Sequence, residues 1–156
     1  MDEKQLATIS RRSATGLLAL LPALDAATAR AAGNEDANIA LVGRFCAEWS
    51  GKDVEKLIPY LAPEIEYGIF EGGPVIKGLD QFRAQLGGYM AGMREIKWEI
   101  KRSAAMGDVV INERTDHFLQ PTGSTKPDSH FHITGVFIVR GGKIVYWKDW
   151  NTAKTG

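Results

Sequence analysis

The stretch Val109-Val110-Ile111-Asn112-Glu113-Arg114-Thr115-Asp116-His117-Phe118-Leu119 reads as one long β-strand, rich in β-branched residues and free of glycine and proline. Strand side chains alternate between faces, so Asn112, Arg114, Asp116 and Phe118 share one side while Ile111, Glu113, Thr115, His117 and Leu119 share the other. The first side therefore carries an arginine and an aspartate beside an aromatic ring. On a solvated strand such a pair is ordinary surface chemistry and contributes little. Inside a sheet it is another matter, because desolvating a charge costs several kcal/mol and charges persist there only when paired or put to use. A second strand, Lys143–Asn151, places Asp149 on one face with Trp147 and Asn151. Together the two strands predict an Asp-Arg-Asp set on an aromatic-lined face.

Strands continue outward from this one. Residues 96–104 and 130–140 have strand character, and Arg140-Gly141-Gly142-Lys143 is a two-glycine hairpin signal joining the last two strands. The polar, proline-containing segment 120–129 is expected to be a loop over an opening. Upstream, Ile39, Val42, Phe45, Cys46 and Trp49 recur at helical spacing over 38–49. A shorter helix from Asp53, carrying Leu57, Ile58 and Leu61, must stop before Pro63. Residues 64–70 read as a strand with Ile65, Tyr67 and Ile69 on one face, 75–78 as a short extended piece, and 79–93 as a third helix. Helices first and long antiparallel strands after them describe an α+β domain whose sheet curls around the helices into a cone, enclosing one apolar pocket.

Bulk composition narrows the partners. The chain has 156 residues, 44% of them hydrophobic, which suits one domain with a sizeable core. Its 19 basic and 19 acidic residues cancel, so electrostatic capture of nucleic acid or of an anionic membrane is not expected. The expected partner is a small hydrophobic or aromatic molecule. The lone cysteine, Cys46, excludes an intrachain disulfide and a cysteine-rich metal site, and its apolar setting makes it core filler.

Residues 1–31 differ from the rest. Ser10-Arg11-Arg12-Ser13, the apolar run from Gly16 to Leu24 and the small-x-small Ala29-Arg30-Ala31 form the layout of a twin-arginine signal peptide, which predicts periplasmic export. The remaining domain, expected over 35–153, stays near neutral, because residues 32–156 hold 15 basic and 16 acidic residues.

Tyr67, Glu113-Arg114-Thr115-Asp116, Ile133-Thr134-Gly135-Val136-Phe137 and Gly142-Lys143-Ile144 leading to Trp147-Lys148-Asp149 are the residues by which the sequence resembles the nuclear-transport-factor-2-like superfamily, in its SnoaL-like and limonene-1,2-epoxide hydrolase-like branch. The resemblance implies a mixed sheet around three N-terminal-side helices, a twofold homodimer, and catalysis with neither cofactor nor metal. It further implies Asp116 as the acid that protonates the oxirane oxygen, Arg114 as the bridge between carboxylates, Asp149 as the base for water and Tyr67 as a holder of that water. In the hydrolases an asparagine two residues after the tyrosine also holds the water; Ile69 stands there in this chain. That substitution keeps a lyase, dehydratase or isomerase acting on an aryl-propanoid diol, for example a formaldehyde-releasing diarylpropane lyase, as an alternative to epoxide hydrolysis. A non-catalytic binding module is a third reading. The expected pocket wall is Ile69, Phe118, Phe131, Ile133, Trp147, Asn112 and Asn151. His117, His130 and His132 fall on the opposite face.

Overall fold

Apolar side chains at helical spacing build the first element, α1 (Glu35–Glu48), which buries Val42, Phe45 and Cys46. The structure is a computed structural model describing residues 34–152. The expected signal peptide lies outside the described residues. Glu35 and Asp36 place negative charge at the positive end of the α1 dipole. The start of α1 is also pinned to the sheet, since Glu35 Oε1 accepts from the Gly107 amide at 2.7 Å and Asn38 Nδ2 donates to the Gly107 carbonyl at 3.1 Å.

A 3₁₀ turn, Trp49–Gly51, follows, and then α2 (Val54–Leu57), capped by the Asp53 side chain. This helix is shorter than the sequence reading expects. Pro59 has no amide hydrogen to continue the α-helical ladder, so the chain tightens into a 3₁₀ turn at Ile58–Tyr60, and Leu61 opens a strand instead of closing a helix. The elements after it are β1 (Leu61–Gly68), β2 (Val75–Lys77), α3 (Gly78–Gly92), β3 (Glu95–Met106), β4 (Val109–Leu119), β5 (Ser129–Arg140) and β6 (Lys143–Asn151).

The six strands form one curved, unclosed sheet in the order β2-β1-β6-β5-β4-β3. Every neighbouring pair is antiparallel except β1 and β6, which run parallel, so the sheet is mixed. Gly141 and Gly142 both have positive φ, 56° and 72°, as the tight turn between β5 and β6 requires. The α+β cone expected from the sequence is the fold observed. Phe45 is fully buried at its centre, its ring meeting those of Trp147, Phe137 and Trp49 edge-on at 5.3, 6.2 and 6.4 Å. No helix among the described residues is long and apolar enough to cross a membrane.

Candidate active site

Three adjacent strands set the geometry. Across the sheet, Asn112 on β4 is opposite Gly135 on β5, and Gly135 is opposite Asp149 on β6. Strands lie about 4.8 Å apart, so β4 and β6 are separated by about 10 Å, a gap that an arginine spans only if the strand between leaves room. Gly135 leaves it: a Cβ there would stand 2.2 Å from Arg114 Nη1 and 2.9 Å from Asn112 Oδ1. The missing side chain is what lets Arg114 cross β5 and reach Asp149.

Arg114 is fully buried and all its nitrogens are engaged. Nε donates to Asp116 Oδ1 at 2.8 Å, Nη2 to Asp149 Oδ2 at 2.8 Å, and Nη1 to Asn112 Oδ1 at 2.9 Å. Its Cζ sits 4.3 Å from the centre of the Trp98 ring, which stacks on Trp49 at 4.2 Å. Asp149 has two further donors, Trp147 Nε1 to Oδ1 at 2.7 Å and, at a long 3.4 Å, the Tyr67 hydroxyl to Oδ2. Trp147 is held in turn by a parallel stack on Tyr67, with ring centres 3.6 Å apart. Asp116 receives only Arg114; its Oδ2 has no hydrogen-bond partner among the described residues.

The two carboxylates therefore differ. Burial pushes Asp116 up to about 7, against the pull of the Arg114 charge and hydrogen bond. Burial also raises Asp149, while Arg114, Trp147 and Tyr67 all favour its ionised form. Burial opposes the charge on Arg114, and Asp149 and Asp116 outweigh it, so the guanidinium stays charged. One guanidinium neutralises one carboxylate, and a second negative charge would be left buried and unpaired. Near neutral pH the set therefore keeps one proton, and it belongs on Asp116, which has one donor where Asp149 has three. Burial, followed by the Asp149 charge, lifts Tyr67 well above its ordinary value, so it remains a neutral donor. Burial also pushes the Cys46 thiol up to about 12, which leaves it an unreactive neighbour of Asn112.

Asp116 and Asp149 open onto a cavity of about 510 Å³. Of the expected wall residues, Ile69, Phe118, Phe131, Ile133 and Asn151 line it, with Tyr67. Asn112 and Trp147 do not. Both point to the inner side as expected, but Asn112 is taken by Arg114 and Cys46, and Trp147 lies behind Asp149 as its hydrogen-bond donor. They support the site from behind. The sequence reading missed Trp49, Phe70, Gln85, Leu86, Tyr89 and Trp98 as wall residues. The segment 120–128 is a loop, as expected, and none of its residues lines the cavity; the exposed aromatic wall residues come from the turn after β1, α3 and β5. His117, His130 and His132 lie on the outer face, where His117 and His130 approach Nδ1 to Nδ1 at 2.7 Å and His132 meets Thr115. Among the described residues no cluster of three His, Cys, Asp or Glu side chains is arranged to hold a metal ion.

The model of the SnoaL-like domain family matches residues 42–147. An LEH-like epoxide hydrolase of M. tuberculosis has a similar structure, with a TM-score of 0.64 and 26% identity over 76% of this chain and 85% of that one. SalBIII, an epoxide hydrolase/cyclase-like enzyme with a role in pyran ring formation in the polyether salinomycin, has a TM-score of 0.67 at 14% identity, covering 75% of this chain and 92% of that one. A SnoaL-like protein from Jannaschia sp. CCS1 has a TM-score of 0.60 at 16% identity, covering 74% of this chain and 85% of that one. At such low identities the last two speak for the fold alone. No curated protein sequence matches the chain.

The raised Asp116 gives stability a defined pH dependence. The folded state keeps a proton to about pH 7 that the unfolded chain loses near 3.8, so its stabilising effect is complete below about pH 4 and is lost as pH rises toward 7. Urea unfolding midpoints are expected to fall between pH 4.5 and 7.5, and Asp116→Asn is expected to flatten that fall; an identical slope in the variant contradicts the assignment. Gly135→Ala is expected to push Arg114 off Asp149 and lower the melting temperature, by about 1–3 kcal/mol in stability, the usual cost of overpacking.

Proposed function

The chain belongs to the SnoaL-like domain family, and on that scaffold we propose that it is an enzyme adding water to the oxirane ring of a hydrophobic epoxide, using no cofactor. The observation that supports this best is the pair of unlike carboxylates, bridged by one buried arginine, on the wall of an otherwise apolar cavity. Protonated Asp116, with Oδ2 free, donates its proton to the oxirane oxygen as the carbon–oxygen bond breaks. Ionised Asp149 takes a proton from the water whose oxygen attacks the carbon. The product is a vicinal diol; Asp149 ends protonated and Asp116 ionised.

Arg114 makes this exchange inexpensive. Before and after the step the buried set holds one guanidinium, one carboxylate and one carboxylic acid, so its net charge does not change while charge moves between the two ends. The proton returns from Asp149 to Asp116 through solvent once product leaves. Tyr67 is the neutral hydroxyl beside Asp149 that can share in holding the water. Ile69 offers no hydrogen bond there, whereas Gln85 and Asn151 are polar wall residues with no side-chain partner among the described residues. Either can take over the missing contact.

A second reading rests on Ile69 itself. An acid and a base beside an apolar wall, with water less well held, also suit elimination or carbon–carbon cleavage of an aryl-propanoid diol.

A panel of terpene and aryl epoxides in ¹⁸O-water decides between them. Hydrolysis yields diol with one labelled oxygen, and Asp116→Asn and Asp149→Asn each lower the rate by about 10²–10⁴-fold, the usual loss for a general acid or base. Activity is expected to fall as pH rises through about 7, where Asp116 loses its proton. No turnover across the panel, or activity surviving both substitutions, overturns the reading. Formaldehyde or an alkene from aryl-propane diols supports the second one.

A further inference from the structure

The cavity mouth has a composition that acid-base chemistry does not require. Among the described residues three aromatic side chains are markedly exposed, Phe70 at 46%, Tyr89 at 43% and Phe131 at 39%, and all three belong to the wall of this cavity. They come from separate elements: the turn after β1, α3 and β5. Exposed aromatic rings scattered at random need no explanation, but three that converge on one opening form an apolar rim.

The rim continues inward as a connected aromatic strip. Tyr89 meets Phe118 at 5.4 Å and 57° between planes, and Phe118 meets Phe131 at 6.0 Å and 62°. Phe118 is buried and stands two residues from Asp116 on the same face of β4, a separation of about 7 Å. Phe131 on β5 is directly opposite Asp116 on β4, so one ring of the strip stands on the cross-strand neighbour of the acid, with Cβ atoms about 5 Å apart.

Phe70 is held in place rather than left loose. Its ring lies against Gly73, where a Cβ would stand 2.5 Å from Cε2, and the Gly73 amide donates to the Phe70 carbonyl at 3.0 Å. The next residue, Glu71, accepts from Trp150 Nε1 at 2.9 Å and pairs with Lys148 at 2.5 Å. Lys148 and Trp150 flank Asp149, so the turn carrying Phe70 is tied to the strand that carries the base.

We propose that Phe70, Tyr89 and Phe131 form an aryl-binding subsite at the mouth, continuous through Phe118 with Asp116, which selects substrates whose reacting carbon bears an aromatic ring. The inference rests on the acid-base reading for its chemistry, but the subsite is a binding device in its own right. A saturated ring of the same size fills the same volume and lacks the edge-to-face contacts, so the two discriminate shape from aromaticity.

The test uses the full chain with phenyloxirane and cyclohexyloxirane, and with the corresponding 1,2-diols as ligands that need no turnover. The wild-type protein is expected to favour the phenyl epoxide in kcat/KM and to bind the phenyl diol more tightly, by about 3- to 10-fold for one aromatic contact. Phe70→Leu and Phe131→Leu are expected to raise KM for the phenyl epoxide and narrow that preference, whereas Tyr89→Phe keeps it. All three side chains are about two-fifths exposed or more, so folding should survive, and circular dichroism checks it. Turnover of both epoxides with no phenyl preference overturns the subsite and leaves the acid-base reading standing. Failure of both epoxides, with phenyl-diol binding that Phe70→Leu weakens, overturns the acid-base reading and leaves the subsite standing. A change of oligomeric state in Phe131→Leu assigns the rim to contact between copies and overturns the proposal.

Discussion

A guanidinium with no exposed surface, bridging two carboxylates that belong to different strands, is the constraint on which the rest of this structure depends. Burying Arg114, Asp116 and Asp149 costs several kcal/mol per charge in desolvation, which is recovered only with good geometry and complete hydrogen bonding. The fold supplies both around Arg114 and Asp149, and turns Asp116 toward the cavity with Arg114 as its one donor. Asn112 takes the third nitrogen of Arg114, Trp147 takes an oxygen of Asp149, and Trp98 covers the guanidinium face. Removing any of these leaves a polar group short of a partner in a low-dielectric site, where the loss is largest.

The packing serves the same end. α1 and the 3₁₀ turn after it lay Phe45 and Trp49 across the inner face of the sheet, and Trp49, Trp98, Trp147 and Phe137 surround the charged set with rings. Water is kept from the back of the set, while Asp116 and Asp149 meet the cavity at the front. Low polarity behind raises the Asp116 pKa toward neutrality, and the donors around Asp149 favour its anion. One apolar enclosure thus yields an acid and a base from two identical side chains.

Alternation along β4 was enough to put Asn112, Arg114, Asp116 and Phe118 on one face, and alternation along β6 enough to add Asp149; the structure has them so. The two-glycine turn and the sheet-around-helices architecture were legible for the same local reason. Trp98 was not legible. Counting back from the tight turn at Gly107 and Asp108 pairs Met106 with Val109 and would set Trp98 opposite His117, on the outer face. An irregularity between Ile100 and Arg102 shifts the register by one and sets Trp98 opposite Asp116 instead, against Arg114. Asn112 and Trp147 were legible as inward residues but not as second-rank supports, because alternation gives a face and not a partner. Gln85 and Tyr89 reach the cavity through the placement of α3 on β1, which is a tertiary fact.

The account centres on a shared proton held by Asp116 rather than by Asp149. Carboxyl ¹³C NMR of protein labelled at aspartate, titrated from pH 4 to 9, tests it directly. The account predicts one carboxyl titrating near pH 7 that disappears in Asp116→Asn, with Asp149 holding the ionised form in preference to Asp116. A near-neutral titration that survives in Asp116→Asn, or aspartates that all ionise below about pH 5, would contradict it.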